Sequence, residues 1–287
     1  MPYVSGDNAG DNAGDNAGPN AGPNAEPIEI YYEEDGDGPP VVLIGGLTST
    51  IELWAYQRPA LAEHHRVIAP DNRGSGRTRV PIDTGVRTPA RWAGDVELLL
   101  DGLGLDRVHL VGGSMGGIIA QEFALTHAER LRSLAILCST PGEAHGVPVS
   151  EQTLRTLVAG QAPDATADQR RASVRAIAHP RSFEICAERL ERYEADKAAH
   201  PHSTEEIAAR QRGMNGWESY TRLPELRVPT LVMTGDTDVL VPPGNAEILA
   251  ARIPGAELVT IADAGHVLMV EQPEAVNRAL LEFFAKH

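Results

Sequence analysis

The chain has 287 residues, enough to bury a full core, and α/β chains of this length commonly form one core with an insertion. Its formal charge of −15 offers no basic stripe to track phosphates, which sets aside nucleic acid as a partner and favours an uncharged small molecule as substrate. Its two cysteines, Cys138 and Cys186, make neither a disulfide framework nor a zinc motif, and no His, Cys and carboxylate cluster has metal-ligand spacing, so neither cofactor nor metal is expected.

No stretch approaches the run of about 18 apolar residues that a membrane helix needs. The N-terminus also lacks a basic region followed by an apolar one, so the expectation is a cytoplasmic protein with no membrane partner. Residues 7–26 are five tetrapeptides: Asp-Asn-Ala-Gly three times, then Pro-Asn-Ala-Gly and Pro-Asn-Ala-Glu. They have no apolar face and cannot offset their ordering entropy, so residues 1–26 are read as a flexible tail. A second reading makes the repeats a docking arm for a neighbouring subunit of a homo-oligomer.

Strand patterns follow at Ile28–Glu33 and Val41–Ile44, separated by the turn residues Asp35-Gly36-Asp37-Gly38-Pro39. Gly45-Gly46 after the second strand lets the backbone turn sharply and can aim the N–H of Leu47 at an anion. A further strand, His65–Pro70, leads into Asp71-Asn72-Arg73-Gly74-Ser75-Gly76-Arg77-Thr78. That loop is read as structural, because no third glycine opens a helix behind its Gly-x-Gly. Thr88-Pro89 caps a helix in which Trp92, Val96, Leu99, Leu100 and Leu103 repeat at helical spacing, and Gly104 stops it.

Val108–Val111 then runs into Gly112-Gly113-Ser114-Met115-Gly116 and on into the helical segment Ile118–His127. A serine on so sharp a strand-to-helix turn needs small residues two before and two after it, which Gly112 and Gly116 supply. The turn also directs the N–H of Met115 to where a tetrahedral oxyanion would form. His109, inside the strand, is read as a core histidine.

Leu131–Leu137 is the next strand. From about Glu143 to Tyr220 the strand pattern gives way to helical segments at Glu151–Gly160, Ala167–Ala178, Phe183–Ala199 and Thr204–Met214. Residues 27–142 are therefore read as the first part of an α/β core, 143–221 as a helical cap and 222–287 as the second part of the core. The cap's charges, Arg170 and Arg171 among them, read as solvated faces, while Trp217 and Tyr220 either line a pocket or pack on the core. Pro229–Gly235 resumes the strands and ends in Gly235-Asp236-Thr237-Asp238. A helix at Asn245–Arg252, a strand at Glu257–Ile261, the loop Ala262–His266 and a helix from Pro273 close the chain. This alternation specifies a mostly parallel sheet with helices on both faces.

A serine hydroxyl needs a base, and the base needs a carboxylate to hold its tautomer. Ser114, Asp238 and His266 each stand in a loop directly after a strand, and parallel strands bring such loops to one edge. Val239–Pro242 can wall Asp238 off from water.

With these motifs in hand, the chain from about residue 27 onward resembles the α/β-hydrolase superfamily. The likeness rests on Gly112–Gly116, Asp71–Gly76, Gly235–Asp238 with Pro242, and Gly265-His266. It implies Ser114 as nucleophile, Asp238 as orienting acid, His266 as base, and the Leu47 and Met115 amides as oxyanion hole. Because some members carry the acid on the loop after the strand that follows the serine, it also makes Glu143 the alternative acid, with the shielded Asp238 preferred. Where the family usually carries His-Gly before the oxyanion residue this chain has Gly45-Gly46, losing a side chain that often braces the loop. Serine rather than aspartate at position 114 sets aside epoxide and C–Cl cleavage. The motifs are similar to those of small esterases, 3-oxoadipate enol-lactonases and haloperoxidase-like hydrolases, which implies an ester or lactone hydrolase. A C–C bond hydrolase or lyase with the same triad, or a slow-turnover ligand receptor, are the alternatives.

Overall fold

Alternate residues of the central strands face opposite sides, and both sides are apolar, so each strand must be covered twice. The computed structural model describes residues 3–8, 26–80, 87–162 and 165–287. In chain order its elements are β1 (Tyr3–Asn8), β2 (Glu26–Asp35), β3 (Pro40–Ile44), a 3-10 turn at Ile51–Trp54, α1 (Gln57–Leu61), β4 (Arg66–Pro70), α2 (Pro89–Gly102), β5 (Val108–Gly113), α3 (Met115–Thr126) and β6 (Leu131–Leu137). Then come α4 (Glu151–Gln161), α5 (Ala167–Ile177), α6 (Ser182–Ile185), α7 (Ala187–Ala199) and α8 (Thr204–Met214), all inserted before β7 (Thr230–Gly235). The chain closes with α9 (Gly244–Arg252), β8 (Glu257–Ile261), α10 (Leu268–Glu271) and α11 (Pro273–Phe284).

The strands form one sheet in the order β1-β2-β4-β3-β5-β6-β7-β8. β2 runs antiparallel to its neighbours β1 and β4, and the rest are parallel. Val41, Leu43, Val111 and Met233 face a core completed by α1, α10 and α11. Val42, Ile44, Leu110 and Val232 face the opposite one, filled by Trp92 and Leu99 of α2, Phe123 of α3 and Leu249 of α9. Thr88 caps α2 through its side chain, which accepts the Arg91 N–H, with Pro89 in the first turn. His109 is a core histidine: its Nδ1 lies 2.7 Å from Ser133 Oγ, its ring packs on Phe284, and burial pulls its pKa down to about 4. Among the described residues no helix is long and apolar enough to cross a membrane.

Two expectations need correction. Residues 1–26 are not all tail, since Tyr3–Asn8 pairs along the outer edge of β2 from Tyr31 to Glu26. What holds β1 is apolar contact: Val4 is buried on Gly102, where an added Cβ would come within 2.3 Å of Val4 Cγ1, and the Tyr3 ring meets that of Tyr31 edge to face. Residues 9–25, which carry most of the repeats, lie outside the described residues. The helix expected over Phe183–Ala199 is broken at Cys186, whose φ of −137° and ψ of 38° separate α6 from α7. The short α6 before the break is tied to the core by Ser182, whose hydroxyl donates to the buried carboxylate of Glu271.

Val4→Asp should lower stability by about 2 kcal/mol or more, read as a fall in Tm, because a carboxylate would replace a buried methyl pair. An unchanged Tm would mean that β1 does not hold to the sheet in solution.

Candidate active site

The turn between β5 and α3 is confined from three directions. Ser114 has φ 57° and ψ −119°, a region that an L residue enters only when its surroundings enforce it. A Cβ on Gly112 would fall 2.2 Å from Gly116 O, and one on Gly116 would fall 2.1 Å from Ile44 O. Those approaches fix β5, α3 and β3 together, and the Ser114 N–H donates to Leu137 O of β6 at 2.9 Å. Ser139 Oγ, just beyond β6, donates to Ser114 O at 2.9 Å.

The structure brings the three expected side chains into one line. His266 Nε2 lies 3.0 Å from Ser114 Oγ, and His266 Nδ1 lies 2.8 Å from Asp238 Oδ2. The other oxygen of Asp238 accepts the amides of Leu240 and Val241 at 2.9 and 2.8 Å, so the segment expected to shield the carboxylate also hydrogen-bonds it. The Asp238 side chain is 0% exposed and that of His266 8%, which strengthens the pair against competition from water. Glu143, the alternative acid, is exposed on the rim of the same cavity, and the imidazole nitrogen it would need is taken by Asp238. Leu47 and Met115 both line the cavity around Ser114, and among the described residues their amides donate to no protein acceptor. Two polar N–H groups beside a serine hydroxyl, with nothing else to serve, can take a developing oxyanion.

The loop that carries Leu47 has Gly45-Gly46 in place of a bracing histidine, yet it is braced. Asn72 Nδ2 donates to Gly45 O at 2.9 Å, and the guanidinium of Arg210, on α8, donates to Leu47 O. Arg210 also donates to Arg73 O at 3.1 Å and Ser75 Oγ at 2.9 Å, and pairs with Glu206 at 2.8 Å, itself paired with Arg87. Its side chain is fully buried, so the expectation that the cap's charges are solvated fails at this position. The signal was absent locally, because the acceptor at Leu47 lies 163 residues away. The loop read as structural thus serves as the bracket between cap and Leu47.

A second contact joins cap and core. The His266 N–H donates to Ile177 O at the end of α5 at 2.7 Å. Glu271 accepts from Gly265 N at 2.8 Å and, on its other oxygen, from His179 N and Ser182 Oγ at 2.6 Å each. Burial pushes the Glu271 carboxyl above the usual range, and these hydrogen bonds pull it partly back. Sequence reasoning did not single out Glu271 or Arg210. Of the two cap aromatics left open, Trp217 lines the cavity and anchors its indole on Glu122 at 2.8 Å, whereas Tyr220 stacks on His145. The cavity holds about 330 Å³ and is walled largely by apolar side chains.

A serine on a confined turn, its imidazole and buried acid, and free amides beside a roofed cavity are the parts of a family known from other chains. The model of the alpha/beta hydrolase fold matches residues 39–273, and the chain belongs to that family, as a hydrolase. It is 31% identical over 255 residues to the protein of Azorhizobium caulinodans named "Putative carbamate hydrolase RutD", covering 89% of this chain and 94% of that one. Among solved structures it is similar to a thermophilic esterase from Thermogutta terrifontis, with a TM-score of 0.80 and 30% identity over 100% of this chain and 99% of that one. It is also similar to the enol-lactonase from Burkholderia xenovorans LB400, with a TM-score of 0.76 and 26% identity over 90% and 97% of the two chains.

Gly116→Ala tests the turn. With Ile44 O in the way the strand or the helix must move, so the variant should lose about 3 kcal/mol or more of stability in denaturant titration. Retention of full stability would show that the approach is looser than described.

Proposed function

We propose that the protein hydrolyses carboxylic esters or lactones of small to medium size through an acyl-enzyme. The observation that carries this reading is the unbroken hydrogen-bonded line from Ser114 Oγ through His266 to buried Asp238. In this mechanism Asp238 holds the imidazole with its Nδ1 protonated, leaving Nε2 free to take the serine proton as Oγ attacks the carbonyl carbon. The carbonyl oxygen becomes an oxyanion held by the amides of Leu47 and Met115. Collapse of that intermediate expels the alkoxide, which takes the proton from His266. Water, activated by the same imidazole, then releases the acid and restores the serine. A roofed cavity of about 330 Å³ suits substrates that enter whole and opposes long-chain triglycerides.

The relatives' names widen the test to carbamates. A panel of esters, lactones, carbamates and β-diketones, with Ser114→Ala as blank, separates ester cleavage from C–C cleavage by the same triad. A fluorophosphonate probe should label Ser114, and Ser114→Ala should lose about 10³-fold or more of turnover. Labelling elsewhere, or wild-type rates in the variant, would overturn the assignment.

The choice of acid makes a separate prediction. Asp238→Asn should cut kcat about 10³- to 10⁴-fold with little change in KM, while Glu143→Gln should change kcat less than about threefold. The reverse pattern would move the acid to Glu143.

A further inference from the structure

The total charge of −15 argues for a neutral substrate, but a substrate meets the cavity and not the total. Lys197, near the end of α7, is half-buried and lines the cavity that holds Ser114. Among the described lining residues it is the one lysine or arginine, facing an interior built from such side chains as Leu53, Ile118, Leu157 and Val267. Its ammonium makes no hydrogen bond or ion pair with any described residue. What it has instead is the Tyr193 ring at 5.5 Å and the field of Glu194. Burial pulls the amine down to about 8, with Glu194 acting the other way, so it still carries its charge for most of the time at neutral pH.

Desolvating an ammonium without a partner is unfavourable, and lysine stems normally carry the charge out to water. Here the stem carries it inward. The side chain stands where the Ser114 cavity meets a second one of about 330 Å³ between α4, α5, α7 and α8; Thr48 and Lys197 line both. The acidic group near this junction, Glu194, lines the second cavity and not the first, and one of its carboxylate oxygens is buried without a partner. Glu194 thus faces the second compartment alone, whereas Lys197 borders both. The ammonium stands 5.5 Å from the ring of Tyr193, which lines the Ser114 cavity and not the second one.

We propose that the substrate carries a carboxylate, and that the ammonium of Lys197 binds it in the Ser114 cavity while the ester or lactone bond lies against Ser114 Oγ. This rests on the acyl-enzyme reading above and gives it a substrate class: half-esters or lactones of diacids. The apolar walls between Lys197 and Ser114 take the hydrocarbon that joins the two groups. An uncharged substrate of equal size would enter the cavity but leave the ammonium unpaired.

The test uses monomethyl esters of straight-chain diacids from succinate to suberate, each against its own dimethyl ester, with wild type, Lys197→Met and Lys197→Arg. In wild type at least one half-ester should exceed its diester in kcat/KM by about tenfold, since a hydrogen bond to a charged group is worth about that much or more. In Lys197→Met that ratio should fall by about tenfold or more, chiefly through KM, and Lys197→Arg should restore part of it. Fluorophosphonate labelling of Ser114 in Lys197→Met checks that the variant is folded. A diester preferred at every length, or a ratio unchanged by Lys197→Met, would overturn the proposal while leaving ester hydrolysis intact. Failure of every ester in wild type, with no labelling at Ser114, would overturn the acyl-enzyme reading and this proposal with it.

Discussion

The backbone of Ser114 depends on close packing and would not hold its conformation alone. Its φ of 57° lies where side chains are strained, and the turn persists because three carbonyls and two glycines leave no other path. Gly116 against Ile44 O ties Ser114 to the strand that leads into the Leu47 loop, which brings the candidate nucleophile and both candidate oxyanion donors together. His266 and Asp238 come from strands on the other side of β5, and the parallel register delivers them to the same edge. Disturbing the turn would therefore move the whole site.

Much of this was legible because it follows from local chemistry with a fixed spacing. Glycines flanking a serine, strand patterns ending in loops, and the alternation of strands with helices all act within a few residues. Thr88-Pro89 at the start of α2 is of the same kind. What escaped detection depends on distant partners. Tyr3-Val4-Ser5-Gly6 has too little apolar content to announce a strand, and becomes one because β2 offers an open edge beyond the repeats. The tie of Ser182, just before the break at Cys186, is to a carboxylate on α10, 89 residues away. Arg210 reads as one of many cap charges until its acceptors on the Leu47 and Arg73 loops are brought to it.

Buried charge recurs in this molecule at joints. Arg73 with Asp95 sits inside the core, and Arg210 and Glu206 with Arg87 fasten α8 to the loops after β3 and β4. Such pairs cost desolvation and add little net stability, but they leave few alternative arrangements, because an unpaired member would be far worse. Lys197 breaks that pattern among the described residues, having no ion pair although it lies at a joint of two cavities.

The contacts of Glu271 and His266 with residues 177–182 bear on how such a cap could be exchanged in the course of descent. A cap is commonly pictured as a cassette that can be replaced to alter specificity while the machinery beneath stays as it was. Here Ile177 O and the His179 and Ser182 donors are half of a joint whose other half is Gly265, His266 and Glu271. A recombination that severed them would strand a buried carboxylate and release the imidazole loop. The segment from α5 to α6 therefore travels with the core, as does α8 through Arg210, and the replaceable part of the cap shrinks to what lies between and before them.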